Sequence, residues 1–167
     1  REGTPRNIHL LDNDFFGQPE QEWKSRLAEA REGNFKLCFN QGINVRAVTP
    51  EVAAELATTR YFDDGFEQRR LYTAWDNLGD EGAFFKGQQM LADAGIPAKH
   101  LMVFMLVGFA PSETMERVQY RYRRLKEIGC MPFPMVYRAS SNYKELRRFA
   151  RWVIRRYDAI CSFEDFR

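Results

Sequence analysis

Short apolar runs alternate along the chain with stretches whose apolar residues repeat at helical spacing. The runs show no strict alternation with polar residues, which is typical of strands buried on both faces of a sheet. Their first residues lie 29, 35, 30 and 32 residues apart, which leaves room for one helix between successive strands. The pattern predicts five strands, at residues 7–11, 36–39, 71–74, 101–106 and 133–136.

A helical pattern follows each predicted strand. Thr49 and Pro50 are typical of a helix cap and a first helical position. Glycines close three of the helices just before the next strand begins, and we expect each to adopt the left-handed conformation. These glycines are Gly33, Gly95 and Gly129.

Strands that alternate with helices at this period predict a parallel α/β sheet with right-handed crossovers. No glycine-rich phosphate loop follows the first strand, so a doubly wound nucleotide-binding sheet is disfavoured. We therefore favour parallel (βα) units that form part of an open TIM-like barrel. The polar segment 58–70 is interpreted as a loop insertion within a single domain of residues 1–167.

The bulk composition fits one soluble domain. The chain has 167 residues, of which 44% are hydrophobic, enough for a real core. No apolar run approaches the roughly 20 residues needed to span a bilayer. No secretory signal opens the chain, so we expect a cytoplasmic protein without a membrane partner. The three cysteines are far apart in sequence, which predicts neither a disulfide framework nor a zinc motif.

Charge is distributed unevenly along the chain. Residues 1–110 contain 12 basic and 16 acidic side chains, whereas residues 111–167 contain 13 and 7. The basic side chains concentrate on predicted helices near 113–128 and 142–157. A solvated outer face explains this concentration, and a nucleic-acid or phosphate-binding surface over 113–156 is the alternative.

Polar residues follow several of the predicted strands. Ligands bind beyond the C-terminal ends of parallel strands, so these exits are the candidate site. Asp and Asn there either cap helices and shape turns or line a polar ligand site. The exit residues are Asp12, Asn13 and Asp14 after the first strand, Asn40, Gln41, Gly42, Asn44 and Arg46 after the second, Trp75, Asp76 and Asn77 after the third, Val107, Gly108 and Phe109 after the fourth, and Tyr137 and Arg138 after the fifth.

The remaining titratable residues limit the chemistry. His9 and His100 lie near predicted strand beginnings, so neither a histidine triad nor a histidine metal site is expected at the exits. Acidic pairs drawn from Asp12, Asp14 and Asp76 keep glycoside hydrolysis open as a weak option.

The same segments resemble the radical S-adenosylmethionine (SAM) superfamily. The resemblance covers roughly residues 7–157 in five pieces of matching order and spacing. The second piece resembles the third strand and helix of the branch related to B12-dependent radical SAM proteins, and the third piece resembles the next unit. The pieces are NIHLLDNDFFG, FKLCFNQGINVRAVTPEVAAELA, RLYTAWDNLGDEGAFFKGQQMLADAGI, HLMVFMLVGFAPSETMERV and PFPMVY.

This resemblance implies strands two to six of a radical SAM core and assigns a part of SAM to each exit. It implies that Asp12, Asn13 or Asp14 contacts the methionyl amino group, and that Asn40, Gln41 and Arg46 reach the carboxylate or ribose. It also implies that Trp75, Asp76 and Asn77 line SAM or the substrate. The residues that it places beside the adenine are Val107, Gly108, Val136 and Tyr137.

The family's CxxxCxxC cluster loop is missing from the chain. The resemblance implies that this loop and a first strand lie upstream of Arg1, and that residues 1–167 alone are inactive. The full-length enzyme is expected to bind a [4Fe-4S] cluster and take an electron from a donor. It would cleave SAM reductively and start radical chemistry on a substrate that the sequence does not identify.

Two other functions stay open. The chain is alternatively a nucleic-acid-binding or RNA-modifying module that uses the basic 113–156 face, or a cluster-free (βα) domain that binds a small ligand. An unpaired edge at residues 7–11 also predicts that the isolated chain dimerises by strand pairing.

Overall fold

A computed structural model describes Gly3 and residues 6–167. Within them five strands alternate with five α-helices, and each predicted strand is confirmed to within two residues at either end. The strands are β1 (Asn7–Leu10), β2 (Lys36–Phe39), β3 (Leu71–Ala74), β4 (Leu101–Val107) and β5 (Met131–Val136). The helices are α1 (Glu20–Glu32), α2 (Pro50–Thr58), α3 (Glu81–Asp93), α4 (Met115–Glu127) and α5 (Tyr143–Ile154).

The strands form two parallel sheets, one of β1 and β2 and the other of β3, β4 and β5 in that order. The sheets adjoin at β2. Tyr61 forms an isolated parallel bridge with Leu37, and the backbone N–H of Ile43 donates to the Tyr72 carbonyl at 2.7 Å. The described residues thus form a partial parallel βα arrangement in which no barrel closes.

The predicted loop insertion begins one residue later than expected, because Thr58 is the last residue of α2, and residues 59–70 fold back against the sheets. The Asp63 backbone N–H donates to the Gln68 carbonyl at 2.8 Å. The Asp63 side chain in turn accepts from the backbone N–H groups of Glu67, at 2.8 Å, and Gln68. Phe66 is buried and takes a left-handed backbone conformation, with φ of 57°. We call residues 63–68 the folded-back loop.

Local signals set three helix boundaries as predicted, the start of α2 and the ends of α3 and α4. The Thr49 hydroxyl accepts from the Val52 N–H at 3.3 Å, and Pro50 is the first helical residue. Gly95 and Gly129 follow α3 and α4 in the left-handed conformation, with φ of 92° and 83°. Glycine at these two positions avoids the steric cost that a Cβ imposes there.

The prediction for Gly33 was wrong, because Asn34 takes the left-handed position instead. Gly33 has φ of −75° and Asn34 has φ of 53°. Asparagine tolerates this conformation better than most residues. Arg60 adds a long-range reason, since its guanidinium donates to the Asn34 carbonyl at 2.8 Å.

The three-stranded sheet has one packed face and one open face. Odd-numbered residues of β4 are buried against the helices, whereas even-numbered ones are only half-buried. Residues in register on β3 and β5 share the second face. This open face comprises Tyr72, Ala74, Met102, Phe104, Leu106, Met131, Phe133 and Met135.

The helices are short and several carry many charges. The longest α-helices have 13 residues. Along the part of the chain that the structure describes, none has the length and apolar character needed to cross a membrane.

Candidate functional site

The exits of β1, β2 and β3 meet at one cavity of about 270 Å³, which we call the exit cavity. Four of the predicted site residues line it from two loops. Ala74 and Phe104 contribute part of the open face as its apolar wall. The predicted residues that meet there are Asn13, Asp14, Gln41 and Arg46.

Gly42 brings the β2 exit close to β3. It has φ of 85°, and a Cβ at this position would lie 3.0 Å from the Tyr72 carbonyl oxygen. The next residue, Ile43, donates its N–H to the same carbonyl. Only glycine fits this approach without strain, so Gly42 fixes where Gln41 and Asn44 stand in the cavity wall.

Arg46 supplies a positive charge to the exit cavity. Its Nη1 atom lies 2.7 Å from Asp80 Oδ2, and its Nε donates to Asn44 Oδ1 at 3.3 Å. The side chain is about half exposed, at 48%. The guanidinium is therefore held in place by the α3 side of the site while solvent and ligands still reach it.

A second cavity of about 580 Å³ lies at the exits of β3 and β4. Asp76 and Asn77 both line it, and both also shape the backbone. Asp76 Oδ1 accepts from the Leu106 N–H at 2.7 Å, which ends the β3–β4 ladder. Asn77 Oδ1 accepts from the Gly79 N–H at 3.1 Å. The turn-shaping interpretation thus holds for Asn77, which lines the cavity as well.

Two predicted site residues point away from both cavities. Trp75 is buried on the helix side, stacked on Phe84 with ring centroids 5.4 Å apart, and its Nε1 donates to the Asn77 carbonyl. Val107 is fully buried on the same side. Successive strand residues face opposite sides of a sheet, so Trp75 and Asp76 diverge.

Two further predicted residues are exposed at the rim. Asp12 accepts a hydrogen bond from Gln18 Nε2 at 2.8 Å. Asn40 uses its backbone N–H to extend the β1–β2 ladder to the Leu10 carbonyl. Neither lines the exit cavity, although both lie within a few residues of side chains that do.

The residues predicted to flank an adenine lie farther along the sheet. Gly108 and Tyr137 line a separate cavity of about 340 Å³. Gly108 has φ of 81°, and a Cβ there would lie 2.5 Å from the Leu146 side chain and 2.6 Å from Ser140 Oγ. Gly108 therefore admits the start of α5. Val136 borders a surface groove beside α5.

A buried ion pair that sequence reasoning missed organises the β3 and β4 exits. Arg121 is 1% exposed and donates to the carbonyls of Trp75, at 2.8 Å, and Leu106, at 2.9 Å. It also pairs with Glu113, which accepts from the Gly108 N–H. The signal was present, because Arg121 interrupts the apolar stripe of α4, and a charge there requires partners.

The cysteines do not form an iron–sulfur site. Cys38 lies on β2, Cys130 immediately precedes β5 and Cys161 follows α5. Burial raises the pKa of Cys130 to about 12. No group of three thiols is within ligand distance among the described residues, so this chain's thiols do not fit a [4Fe-4S] cluster.

Comparison with models of protein families, with curated proteins and with solved structures gave no match.

Proposed function

We propose that the exit cavity binds SAM and that the chain is the SAM-holding part of a radical SAM enzyme. Its five βα units would then be strands two to six of a TIM-like partial barrel. The observation that carries this proposal is the meeting of Asn13, Asp14, Gln41 and Arg46 in one cavity. These residues come from two separate loops that the resemblance assigns to the amino and carboxylate ends of SAM.

The charges in the cavity match the amino-acid end of SAM. Asp14 accepts from an ammonium group, and Arg46 donates to a carboxylate. The amide oxygen of Asn13 accepts from the same ammonium group, and the amide of Gln41 offers a donor and an acceptor for ribose hydroxyls. The Phe104 ring borders the same space, and an aromatic face stabilises a nearby sulfonium cation.

The open face provides space for a substrate beside SAM. The exit cavity and the second cavity lie next to each other along this face. Ala74 and Phe104 line the exit cavity, and Asp76 and Leu106 line the second cavity. Together their volumes fall within the range of about 300–1,000 Å³ that is typical of small-ligand sites.

The role proposed for this chain is limited to binding and orienting SAM and excluding water from it. The chain's thiols do not fit the cluster, so cluster ligands would have to come from residues outside it. SAM binding without any cluster would instead make the chain a cluster-free (βα) small-ligand domain.

Equilibrium dialysis with labelled SAM tests the proposal on the 167-residue chain. We expect saturable binding that S-adenosylhomocysteine displaces. Arg46→Met should weaken it by about tenfold or more, since a charge-assisted hydrogen bond is lost. Arg147→Met on α5 removes the same charge away from the cavity and should leave binding unchanged. Absence of binding, or equal binding by wild type and Arg46→Met, would contradict the proposal.

A second candidate function is nucleic-acid binding by α5. A surface groove of about 640 Å³ runs along this helix and is lined by several basic side chains. The C-terminal segment already engages one of them, since Arg148 donates to the Phe166 carbonyl at 2.7 Å and lies over the Phe163 ring. The basic side chains in the groove are Lys144, Arg147, Arg148, Arg151 and Arg155.

Fluorescence anisotropy with single-stranded RNA tests this second function. Phosphate contacts predict an affinity that falls steeply between about 50 and 200 mM salt. Lys144→Gln should reduce the salt dependence, whereas Lys86→Gln, an exposed lysine on α3, should not. Flat salt dependence or no binding would remove this candidate.

A further inference from the structure

Three side chains able to bind a metal meet where the two sheets adjoin. His9 and Cys38 are register partners on β1 and β2, and Asp64 belongs to the folded-back loop. One ring nitrogen, the sulfur and one carboxylate oxygen all lie within 4.8 Å of one another. The trio mixes nitrogen, sulfur and oxygen donors, so it differs from a cluster of surface acids.

The separation of two of these donors matches a shared ion better than a hydrogen bond. His9 Nδ1 lies 3.6 Å from Asp64 Oδ1, which is too long for a hydrogen bond. Ligands about 2.0–2.3 Å from a tetrahedral zinc ion lie roughly 3.5 Å from each other. The three donor atoms lie within 4.8 Å of one another, so an ion that binds all three draws the partly exposed His9 and Asp64 side chains toward Cys38.

The surrounding structure holds the three donors in place. The sheet register fixes His9 opposite Cys38. The Asp64 N–H donates to the Tyr72 hydroxyl at 3.2 Å, which anchors the loop to β3. The Phe66 ring packs edge-on against the His9 ring, with the ring centroids 4.7 Å apart. The Phe66 backbone is strained, because it holds the left-handed conformation. Such strain persists only where the surroundings determine it, and it concentrates at functional sites.

We propose that His9, Cys38 and Asp64 form a binding site for a zinc-like divalent metal ion, with three protein ligands and one open position. The thiol favours borderline-soft ions such as Zn²⁺ or Co²⁺ over Mg²⁺ or Ca²⁺, which prefer all-oxygen sites. Three ligands with an open fourth position are the arrangement that zinc adopts where it binds water or a substrate.

The chemistry of binding is balanced by one proton. Burial, and then the nearby charges of Asp64 and Asp63, raise the pKa of the Cys38 thiol to about 11. When the ion binds, the S–H bond breaks, the sulfur–metal bond forms and the proton passes to solvent. This site requires neither SAM nor an iron–sulfur cluster, so it stands independently of the proposed function.

Titration of the chelator-treated 167-residue chain with Co²⁺ tests the site. We expect one equivalent to produce the near-ultraviolet absorption of a thiolate–cobalt bond, and Zn²⁺ to displace it. Cys38→Ser should abolish this absorption. Cys161→Ser removes a half-buried thiol from the C-terminal segment and should leave it intact.

Two variants at the exposed ligands avoid disturbing the core. The His9 and Asp64 side chains are 41% and 77% exposed, so His9→Ala and Asp64→Asn should keep the fold seen by circular dichroism. Each should weaken Co²⁺ binding by about tenfold or more. No thiolate–cobalt absorption in the wild-type chain, its persistence in Cys38→Ser, or unchanged affinity in both ligand variants would overturn the proposal.

Discussion

Arg121 and Glu113 form a buried ion pair that ties α4 to the exits of β3 and β4. The arginine also donates to the carbonyl of Trp75, just past β3, and to that of Leu106 in β4, and the glutamate accepts from the Gly108 N–H. Every partner lies within a few residues of the candidate cavities. The pair therefore positions the backbone on which the site is built, although neither residue was predicted as part of it.

Arg121→Met should lower the free energy of unfolding by about 3–5 kcal/mol, because it leaves Glu113 buried without a counter-charge. Urea denaturation measures this change. Arg123→Met, at an exposed position on the same helix, should change stability by about 0.5 kcal/mol or less. The double variant Arg121→Met/Glu113→Gln should be more stable than Arg121→Met alone. A loss under about 1 kcal/mol for Arg121→Met would show that the pair is dispensable.

Gly42→Ala should lower stability by about 1–2 kcal/mol, and it should weaken the SAM binding that we propose for the exit cavity. The new methyl group would meet the Tyr72 carbonyl at 3.0 Å while the backbone stays left-handed. Gly82→Ala is the matched control, since nothing lies within 4 Å of its Cβ position and it sits in α3. That control should raise stability by up to about 1 kcal/mol. Equal effects of the two substitutions would contradict the role given to Gly42.

Stability should fall as the pH drops below about 6.5, the ordinary pKa of histidine. Burial, followed by the charges of Arg69, Lys99 and Arg70, lowers the pKa of His100. The unfolded chain therefore takes up this proton at a higher pH than the folded chain. The stability that His100 contributes is complete above about 6.5 and is lost as the pH falls through its lowered pKa.

Urea denaturation from pH 5 to pH 8 measures this loss. His100→Gln should flatten the dependence in that window while keeping a polar partner for the Tyr61 hydroxyl, which lies 2.8 Å from His100 Nδ1. An unchanged slope in His100→Gln would assign the pH dependence to other groups.

The chain should dimerise through the outer edge of β1. Among the described residues β1 pairs only with β2, and an unpaired edge recruits another strand. Leu11→Lys should block pairing, because it replaces an apolar side chain that is 72% exposed beside this edge. Ile160→Lys alters a similarly exposed residue far along the chain. Light scattering over a range of concentrations would contradict the prediction if the wild type stays monomeric.

The order of strands and helices was predictable because each element carries its own signal. Buried parallel strands are continuous apolar runs, and Thr49 and Pro50 mark a helix start without outside help. The Gly33 prediction failed where a distant contact decided the turn, since Arg60 supports Asn34 rather than the glycine.

The meeting of the strand exits was predictable, whereas the side chains that line the cavities there were predictable only in part. Parallel strands place their C-terminal ends at the same edge, so the exits were expected to meet. Successive residues face opposite sides of the sheet, and the structure shows that Trp75 faces the helices and Asp76 the cavity. Arg121 reaches the β3 and β4 exits because of the way α4 packs on the sheet, which the sequence pattern does not specify. The proximity of His9 and Asp64 depends on how residues 63–68 fold back, and the spacing of residues in the sequence does not predict that conformation.

The two faces of the three-stranded sheet contribute differently to the stability of the fold. Side chains such as Val103 on the packed face determine whether the chain folds, while side chains such as Met135, 49% exposed on the open face, contribute little to the core. Substitutions on the open face can therefore accumulate at small cost to stability. Substitutions on the open face of such a scaffold can therefore change which ligand fits there while the packed face keeps the fold stable.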